Sequence, residues 1–261
     1  MAVLLLFISI LPVFILGYYI YNSDKNKEPL KLIAKFFLFG IISGVFVIIF
    51  SLLLELFIPS INVDIDAGNI DYLTLFVHTF IIIAFVEELS KWFFTYRIGY
   101  NNKEFDELYD MIVYSVFTSL GFALLENIFY VFIDGGIAVG ISRGLLSIPG
   151  HTCFGIFMGY YLSMAKYRAL HNEYRLEKLN KVKSIVIPTV LHGVYDYCCF
   201  AGSYFVIIFF VFIIFLYFMA YKKMRYTLSI VSKVKYNNNY CSSCGTKIVG
   251  EYCIGCGAKQ E

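Results

Sequence analysis

Long apolar runs, separated by short polar connections, are the main pattern in this chain. A run of roughly 18 or more apolar residues is long enough for a helix to cross about 30 Å of hydrocarbon. Such runs can be drawn at residues 2–21, 32–58, 72–96, 108–133, 145–165, 183–201 and 203–221. The pattern predicts an all-α polytopic membrane protein, with about seven transmembrane helices in residues 1–225.

The composition agrees with this prediction, because 59% of the 261 residues are apolar and only 15% are charged. The first apolar run lacks a basic segment before it and a small-residue cleavage site, so we interpret it as a retained helix. The net charge of +2 comes from cations beside the apolar runs. We therefore expect contacts with the lipid bilayer and no nucleic-acid partner.

Basic residues alternate between the connections. The first, third and fifth connections and the segment after the last run are basic, whereas the second, at residues 61–71, is acidic and the fourth has no cation before Arg143. The cations are Lys25, Lys27, Lys31, Lys35, Arg97, Lys103, Arg168, Arg175, Lys178, Lys181, Lys183, Lys222, Lys223 and Arg225. Because basic loops stay on the cytoplasmic side, we predict an outside N-terminus and a cytosolic C-terminus.

A separate unit follows the last apolar run. A polar linker at residues 226–239 precedes residues 240–261, which contain two CxxCG motifs. The spacing of Cys241, Cys244, Cys253 and Cys256 is typical of a zinc ribbon, and a reducing cytosol favours metal over disulfides. Four thiolates fill a tetrahedral shell, so we predict a structural zinc ion and a regulatory or protein-contact role, with a cytosolic protein as the partner.

Ionisable residues also lie inside the apolar runs, where a charge costs about 2.5–3.5 kcal/mol or more and is a functional candidate by default. The third run contains the stretch AFVEELSKWFF, in which Lys91 is four residues from Glu87 and three from Glu88. At these spacings, the lysine reaches either carboxylate on one helix face. The later runs add Glu126 and Asn127, then Arg143 and His151, then His192 and Asp196.

Each of these groups also has a structural interpretation. Glu87 with Lys91 could form a buried ion pair, and His192 with Asp196 could form a packed hydrogen-bonded pair. Their joint occurrence on four consecutive runs favours a functional site. His78 is nine positions before Glu87, about half a turn out of phase in an α-helix, so we expect it to face elsewhere. Asp110 is similarly out of phase with Glu126.

Carboxylates and imidazoles in a protein cavity suit hydrolysis of an amide. One of the two adjacent glutamates could take a proton from water while the other anchors Lys91. His192, oriented by Asp196, could donate to a carbonyl oxygen as negative charge develops on it. The same residues are acceptable zinc ligands, so a catalytic zinc ion is an open alternative, although no HExxH motif is present.

The order of these motifs resembles the PrsW family of intramembrane endopeptidases. The matching segments are EELSK at 87–91, FALLE at 122–126, PGH ending at His151 and HGVYD at 192–196, within residues 75–200. The resemblance implies a kinship with CAAX prenyl endopeptidases and bacterial immunity-associated membrane proteases. It also implies a membrane-anchored protein substrate of the anti-sigma-factor type, cleaved at site 1.

Carried over by this resemblance, the catalytic residues are Glu87, Glu88, Glu126, His151, His192 and Asp196. We expect supporting roles for Lys91, Asn127 and Arg143. The family has been described both as metallopeptidases and as glutamate-dependent hydrolases, and both mechanisms stay open here.

Two other functions are compatible with these residues. Carboxylates and histidines on several helices also build proton- or cation-coupled transporters, and a noncatalytic scaffold could recruit a partner through the zinc ribbon. One feature opposes a single site. Counted along straight helices, Glu87 is roughly 15 Å and Glu126 roughly 24 Å from the cytosolic edge. A helix break near Pro149 and Gly150 could reconcile these depths.

Overall fold

The computed structural model describes residues 2–57 and 71–231, and every regular element in these ranges is helical. The α-helices are α1 (Ala2–Ser23), α2 (Leu30–Phe57), α3 (Tyr72–Val77), α4 (Val86–Gly99), α5 (Asp110–Tyr130), α6 (Gly136–Leu145), α7 (Ser147–Leu170), α8 (Tyr174–Phe200) and α9 (Val206–Val231). Two π-helical segments, His78–Phe85 and Val131–Gly135, follow α3 and α5, and a short 3₁₀ turn, Ser203–Phe205, precedes α9. This confirms the all-α prediction.

Five helical segments in the described ranges are long and apolar enough to cross a membrane. They are Val3–Ser23, Leu30–Phe57, Tyr72–Gly99, Asp110–Ile133 and Val206–Ile230. The segment Tyr72–Gly99 joins α3, the first π-helical segment and α4 into one rod. Helices α7 and α8 are of similar length but more polar, and most of α7 is buried between its neighbours. A helix enclosed by other helices, such as α7, does not need an apolar surface toward lipid. The five apolar helical segments indicate a multi-pass membrane protein.

Small residues allow the central helices to approach closely, as is common between helices in membranes. A Cβ atom on Gly40 of α2 would overlap the carbonyl oxygen of Thr118, and one on Gly121 of α5 would overlap the carbonyl oxygen of Phe37. Gly159 of α7 likewise lies against the backbone of α5. Helix α5 is therefore held between α2 and α7, and α8 packs against α7. This arrangement brings the polar residues of α4, α5, α7 and α8 to one region.

Two sequence-based expectations about the middle of the chain are wrong. The predicted fourth connection is largely helical, since α6 occupies Gly136–Leu145, and Arg143 lies on α6 rather than on the fifth transmembrane helix. The expected break near Pro149 and Gly150 lies instead at Leu146, between α6 and α7. Pro149 is in the first turn of α7, where a missing N–H removes no helical hydrogen bond.

Two of the predicted features lie outside the described residues. Residues 58–70 contain most of the acidic second connection, and residues 232–261 contain the predicted zinc ribbon with Cys241, Cys244, Cys253 and Cys256. Helix α9 continues to Val231 and so includes the first residues of the predicted linker.

Candidate active site

Lys91 is the centre of a buried ionic group on α4. Its Nζ is 2.7 Å from Oε1 of Glu88 and 3.4 Å from Oε2 of Glu87, as the helical spacing predicts. Nζ is also 3.3 Å from Nδ1 of His151 and 4.0 Å from the ring centre of Phe122. The side chain is fully buried. A lysine without water in reach requires such partners, because an unpaired buried charge is strongly unfavourable.

Glu126 forms the second ionic group, between α5, α6 and α7. Its Oε2 is 2.8 Å from Nε2 of His151 and 2.9 Å from Nη2 of Arg143. Asn127 supports the arginine, because its Oδ1 accepts a hydrogen bond from Nε of Arg143 at 3.2 Å and its Nδ2 donates to the backbone oxygen of Ser9. Asn127 thus helps to fix Arg143 beside Glu126, and its supporting role in the reaction stays a prediction.

His192 of α8 joins both acidic residues of α4. Its Nδ1 is 3.0 Å from Oε1 of Glu88, and its Nε2 is 3.3 Å from Oδ2 of Asp196 and 3.9 Å from Oε2 of Glu87. The ring of Phe154 stacks on the imidazole with the centroids 4.7 Å apart. Sequence spacing pointed to Asp196 as the orienting partner. The structure adds Glu88, whose contact is shorter and comes from another helix.

The hydrogen-bond partners determine which ring nitrogens carry protons. An ammonium group can only donate, so Nδ1 of His151 accepts from Lys91, and Nε2 of His151 carries the hydrogen that is donated to Glu126. Glu88 lies between Lys91 and His192 and accepts from Nδ1 of His192. The remaining nitrogen of His192, Nε2, faces the carboxylates of Asp196 and Glu87. A lone pair and two carboxylates repel each other unless a proton or a metal ion lies between them.

Two cavities adjoin these residues. The first, of about 270 Å³, is lined by Arg143, His151, His192 and Asp196. The second, of about 390 Å³, lies toward α2 and is lined by residues such as Ser51. Both cavities are also lined by Ile83, Glu87, Glu126 and Tyr130. Glu87 and Glu126 are therefore the carboxylates that face both spaces, whereas Glu88 lines neither and is fully buried.

Formal charges around the first cavity do not balance. The carboxylates of Glu87, Glu88, Glu126 and Asp196 contribute four negative charges if all are ionised, and the cations contribute two positive charges. These cations are Lys91 and Arg143. Such an excess is costly away from water, and one divalent cation or two protons would neutralise it.

The donor set for a metal ion is also present. Glu87, His151 and His192 each offer one ligand atom, and these atoms lie within 4.8 Å of one another. Two imidazoles and one carboxylate are a usual set for a catalytic zinc ion. His192 fits directly, since its Nδ1–H is held by a carboxylate and its Nε2 is left for the metal. His151 would have to give up a contact. Coordination through Nδ1 would replace its 3.3 Å contact with Lys91, whereas coordination through Nε2 would also remove the hydrogen that it donates to Glu126.

The difference in depth between Glu87 and Glu126 does not separate them. Glu87 lies twelve residues before the end of α4 at Gly99, and Glu126 lies sixteen residues after the start of α5 at Asp110. At 1.5 Å per residue the offset is about 6 Å. His151 bridges this offset, because one ring nitrogen contacts Glu126 and the other contacts Lys91.

His78 corrects one sequence-based expectation, because it lines the second cavity together with Glu87. The segment His78–Phe85 is a π-helix, whose i→i+5 hydrogen bonds make each turn wider than an α-helical turn, so nine positions no longer place the two residues half a turn apart. Sequence reasoning also missed Tyr130, whose ring lies 4.0 Å from the guanidinium of Arg143. Its position four residues after Glu126 was the only available signal.

Comparison with known proteins identifies the family. A family model described as PrsW family intramembrane metalloprotease matches residues 28–221. The chain is 36% identical to Protease PrsW of Oceanobacillus iheyensis over 217 residues, which cover 83% of this chain and 93% of that protein. It is 36% identical to Protease PrsW of Clostridioides difficile over 74% of this chain and 78% of that protein. For Protease PrsW of Bacillus subtilis the identity is 32%, over 83% and 91% of the two chains.

No solved structure matches the chain. The family match covers the helices that carry both ionic groups and the two cavities. The chain therefore belongs to the PrsW family of intramembrane proteases.

Proposed function

We propose that this protease hydrolyses a peptide bond of a membrane-anchored protein with a water molecule activated between Glu87, His151 and His192. The observation that carries the proposal is the meeting of these side chains from three helices at one cavity. The resemblance to the family extends the proposal to a substrate of the anti-sigma-factor type.

The two adjacent glutamates have different roles in this proposal. Glu88 is a positioning residue, because it is fully buried and its Oε1 is held by Lys91 and by Nδ1 of His192. Glu87 faces both cavities, and its Oε2 is 3.4 Å from Nζ of Lys91, compared with 2.7 Å for Oε1 of Glu88. Glu87 is therefore the member of the pair that is available to water.

The reaction requires proton transfers that these side chains can perform. The water oxygen attacks the carbonyl carbon, a carboxylate takes the proton from water, and the same proton then goes to the departing amine nitrogen. Arg143 lines the cavity and would stabilise the negative charge on the carbonyl oxygen. In the mechanism without a metal ion, a proton on Nε2 of His192 would contribute to the same stabilisation.

A divalent metal ion, for which we propose zinc, would be held by Glu87, His151 and His192. When bound, it would polarise the water and balance the excess negative charge. Glu126, which lines both cavities, is then the carboxylate that we propose takes the proton, and Arg143 holds its Oε2 in place. Without a metal, Glu87 itself is the proton acceptor. The two mechanisms thus differ in the role of Glu87.

The second cavity suggests where the substrate enters. It lies between α2, the first π-helical segment and α5. The α2 side chains beside it, such as Leu52, are exposed on the surface that would face lipid. An extended stretch of a membrane-anchored protein could pass from this cavity to the first one. The scissile bond would then lie beside Glu87 and Glu126.

We further propose that the N-terminus is outside and the C-terminus is in the cytosol, as the basic loops indicate. The cysteine-rich segment after α9 would then lie in a reducing compartment. Its predicted zinc ribbon would serve as a contact site for a cytosolic protein and would not take part in the chemistry.

Cleavage of a tethered candidate substrate by purified protein in detergent tests the function. We expect Glu87→Gln to abolish cleavage while the protein stays assembled. Glu177→Gln is the matched control, because Glu177 pairs with Lys181 at the start of α8, away from the cavities. Unchanged cleavage by the Glu87 variant would remove this residue from the mechanism.

Metal content separates the two mechanisms. The test uses protein in which Cys241, Cys244, Cys253 and Cys256 are replaced by serine, so that the ribbon cannot contribute metal. If the ion is catalytic, a chelator abolishes cleavage, zinc restores it, and Glu87→Gln lowers the bound metal. Full activity in the chelator, with loss of activity only in Glu87→Gln, would assign Glu87 as the proton acceptor.

A further inference from the structure

A second cluster of carboxylates lies near the start of α5, away from Glu126 and the two cavities. Here the loop between α1 and α2 meets the loop that precedes α5. Asp24 follows α1, Glu107 precedes α5, and Asp110 is the first residue of α5. One carboxylate oxygen from each of the three lies within 4.8 Å of the others. This cluster has no part in the proposed hydrolysis.

Two of these carboxylates are buried without the partners that burial requires. Asp24 is only 3% exposed, and neither of its oxygens has a hydrogen-bond partner. Asp110 is fully buried, and its Oδ2 accepts from the backbone amides of Asp106 and Glu107, but its Oδ1 has no partner. Buried carboxylate oxygens normally accept hydrogen bonds or bind a cation, so these oxygens point to a ligand.

Glu28 lies near these carboxylates and adds negative charge. Asp24, Glu28 and Asp110 form no ion pair with a basic residue in the described part of the chain. The carboxylate of Glu107 repels that of Asp24, since the two lie close together. Repulsion thus acts on a group of acids that the fold nonetheless holds together.

We propose that Asp24, Glu107 and Asp110 form a binding site for a hard divalent cation, with Mg²⁺ as the first candidate. Oxygen-only ligands suit Mg²⁺ and Ca²⁺ rather than zinc. Three protein ligands leave positions for water, which Mg²⁺ usually retains and which Ca²⁺ can also accept. Asn26 donates a hydrogen bond to Oε1 of Glu107 and so already links the two loops.

The site would act as a structural clamp. It would join the loop between α1 and α2 to the start of α5, the helix that carries Glu126. A bound cation would replace repulsion between the loops with attraction. It would raise the free energy of unfolding by an amount that increases with the logarithm of the cation concentration above its Kd. This role is independent of cleavage, so the inference stands or falls separately from the proposed function.

Thermal unfolding of the full-length protein in detergent tests the site. Metal is first removed with a chelator, and millimolar Mg²⁺ or Ca²⁺ is then added, with NaCl of equal ionic strength as the reference. We expect the divalent cation, but not NaCl, to raise the unfolding temperature of the wild type by several degrees. Asp24→Asn should abolish this rise, while in the metal-free state it should unfold at the same temperature as the wild type or a higher one, because it removes repulsion.

Asp106→Asn is the matched control, since Asp106 is an exposed acid beside the cluster and is not one of its ligands. It should retain the cation-dependent rise. Should Asp24→Asn fail to fold, Glu107→Gln replaces it, and Mn²⁺ binding measured by electron paramagnetic resonance gives a direct count of sites. An equal response to NaCl, a retained response in the ligand variants, or no Mn²⁺ bound at this site would overturn the proposal.

Discussion

Replacing Lys91 with methionine would remove the shared cation of two buried carboxylates. Lys91 is fully buried, and its Nζ contacts Glu88 at 2.7 Å and Glu87 at 3.4 Å. Removing one partner of a buried ion pair leaves an uncompensated charge and costs about 3–5 kcal/mol. The contact with the ring of Phe122 at 4.0 Å adds to this loss by about 0.5–2 kcal/mol. Methionine has a similar length, so little of the effect would come from a cavity.

The free energy of unfolding in mixed detergent and SDS micelles measures this loss. We expect Lys91→Met to lower it by about 3 kcal/mol or more. In the double variant with Glu88→Gln part of the loss should return, with an interaction energy of about 1–3 kcal/mol between the two positions. Lys178→Met, at an exposed position on α8, should change stability by less than about 0.5 kcal/mol.

Removing the lysine alone should therefore destabilise the protein more than removing the lysine and its partner Glu88 together. A loss below about 1 kcal/mol for Lys91→Met, or additive effects in the double variant, would refute it. In either case Lys91 would not be the residue that keeps the adjacent glutamates ionised and in place.

Three further predictions concern other parts of the molecule. Gly121→Ala should destabilise the protein by about 1–3 kcal/mol or more, because the added methyl group overlaps the backbone of α2, whereas Gly17→Ala meets only ordinary contacts at 3.5 Å and should be neutral in the same unfolding assay. Ser51→Trp would narrow the second cavity and should reduce the rate at which a membrane-anchored substrate is cleaved. Leu53→Trp changes an exposed position on α2 outside that cavity and should leave the rate unchanged. Equal cleavage rates for the two variants would argue against substrate entry beside α2. Burial raises the pKa of Glu28 from 4.5 to about 7, so between these pH values the folded state retains a proton that the unfolded chain releases. The free energy of unfolding should therefore fall as the pH rises through this interval, by at most about 1.4 kcal/mol per pH unit. Glu28→Gln should flatten this pH profile, and an unchanged profile would contradict the assignment to Glu28.

Local spacing was enough to predict the contacts made within a single helix. Lys91 follows Glu88 by three residues and Glu87 by four, and Asp196 follows His192 by four. An α-helix places such residues on the same face, so each pair can be read from the sequence without knowledge of the fold. The structure has all three of these contacts. Apolar runs likewise indicated a helical membrane protein, because only helices and closed barrels satisfy the backbone in lipid.

Contacts between helices could not be read in this way. That Glu88 holds Nδ1 of His192, a residue 104 positions away, depends on how α4 and α8 are rotated toward each other. The position of Arg143 on a separate helix also became visible only in the fold. The prediction for His78 was wrong because it assumed an α-helical period in a segment that is π-helical. A π-helical turn contains more residues than an α-helical turn, and this difference accumulates over the nine positions between His78 and Glu87.

The amino-acid pattern alone predicted that acids, imidazoles and a lysine lie within long apolar runs, and the order of its motifs pointed to the family. Which carboxylate faces the cavities, which one is enclosed, and that Asp24 meets Asp110 from another loop became clear only from the packing of the helices. Helical periodicity sets the face of a residue on its own helix. The partner of that face is set by close packing at positions such as Gly121 and Gly159, where the absence of a side chain lets two backbones touch.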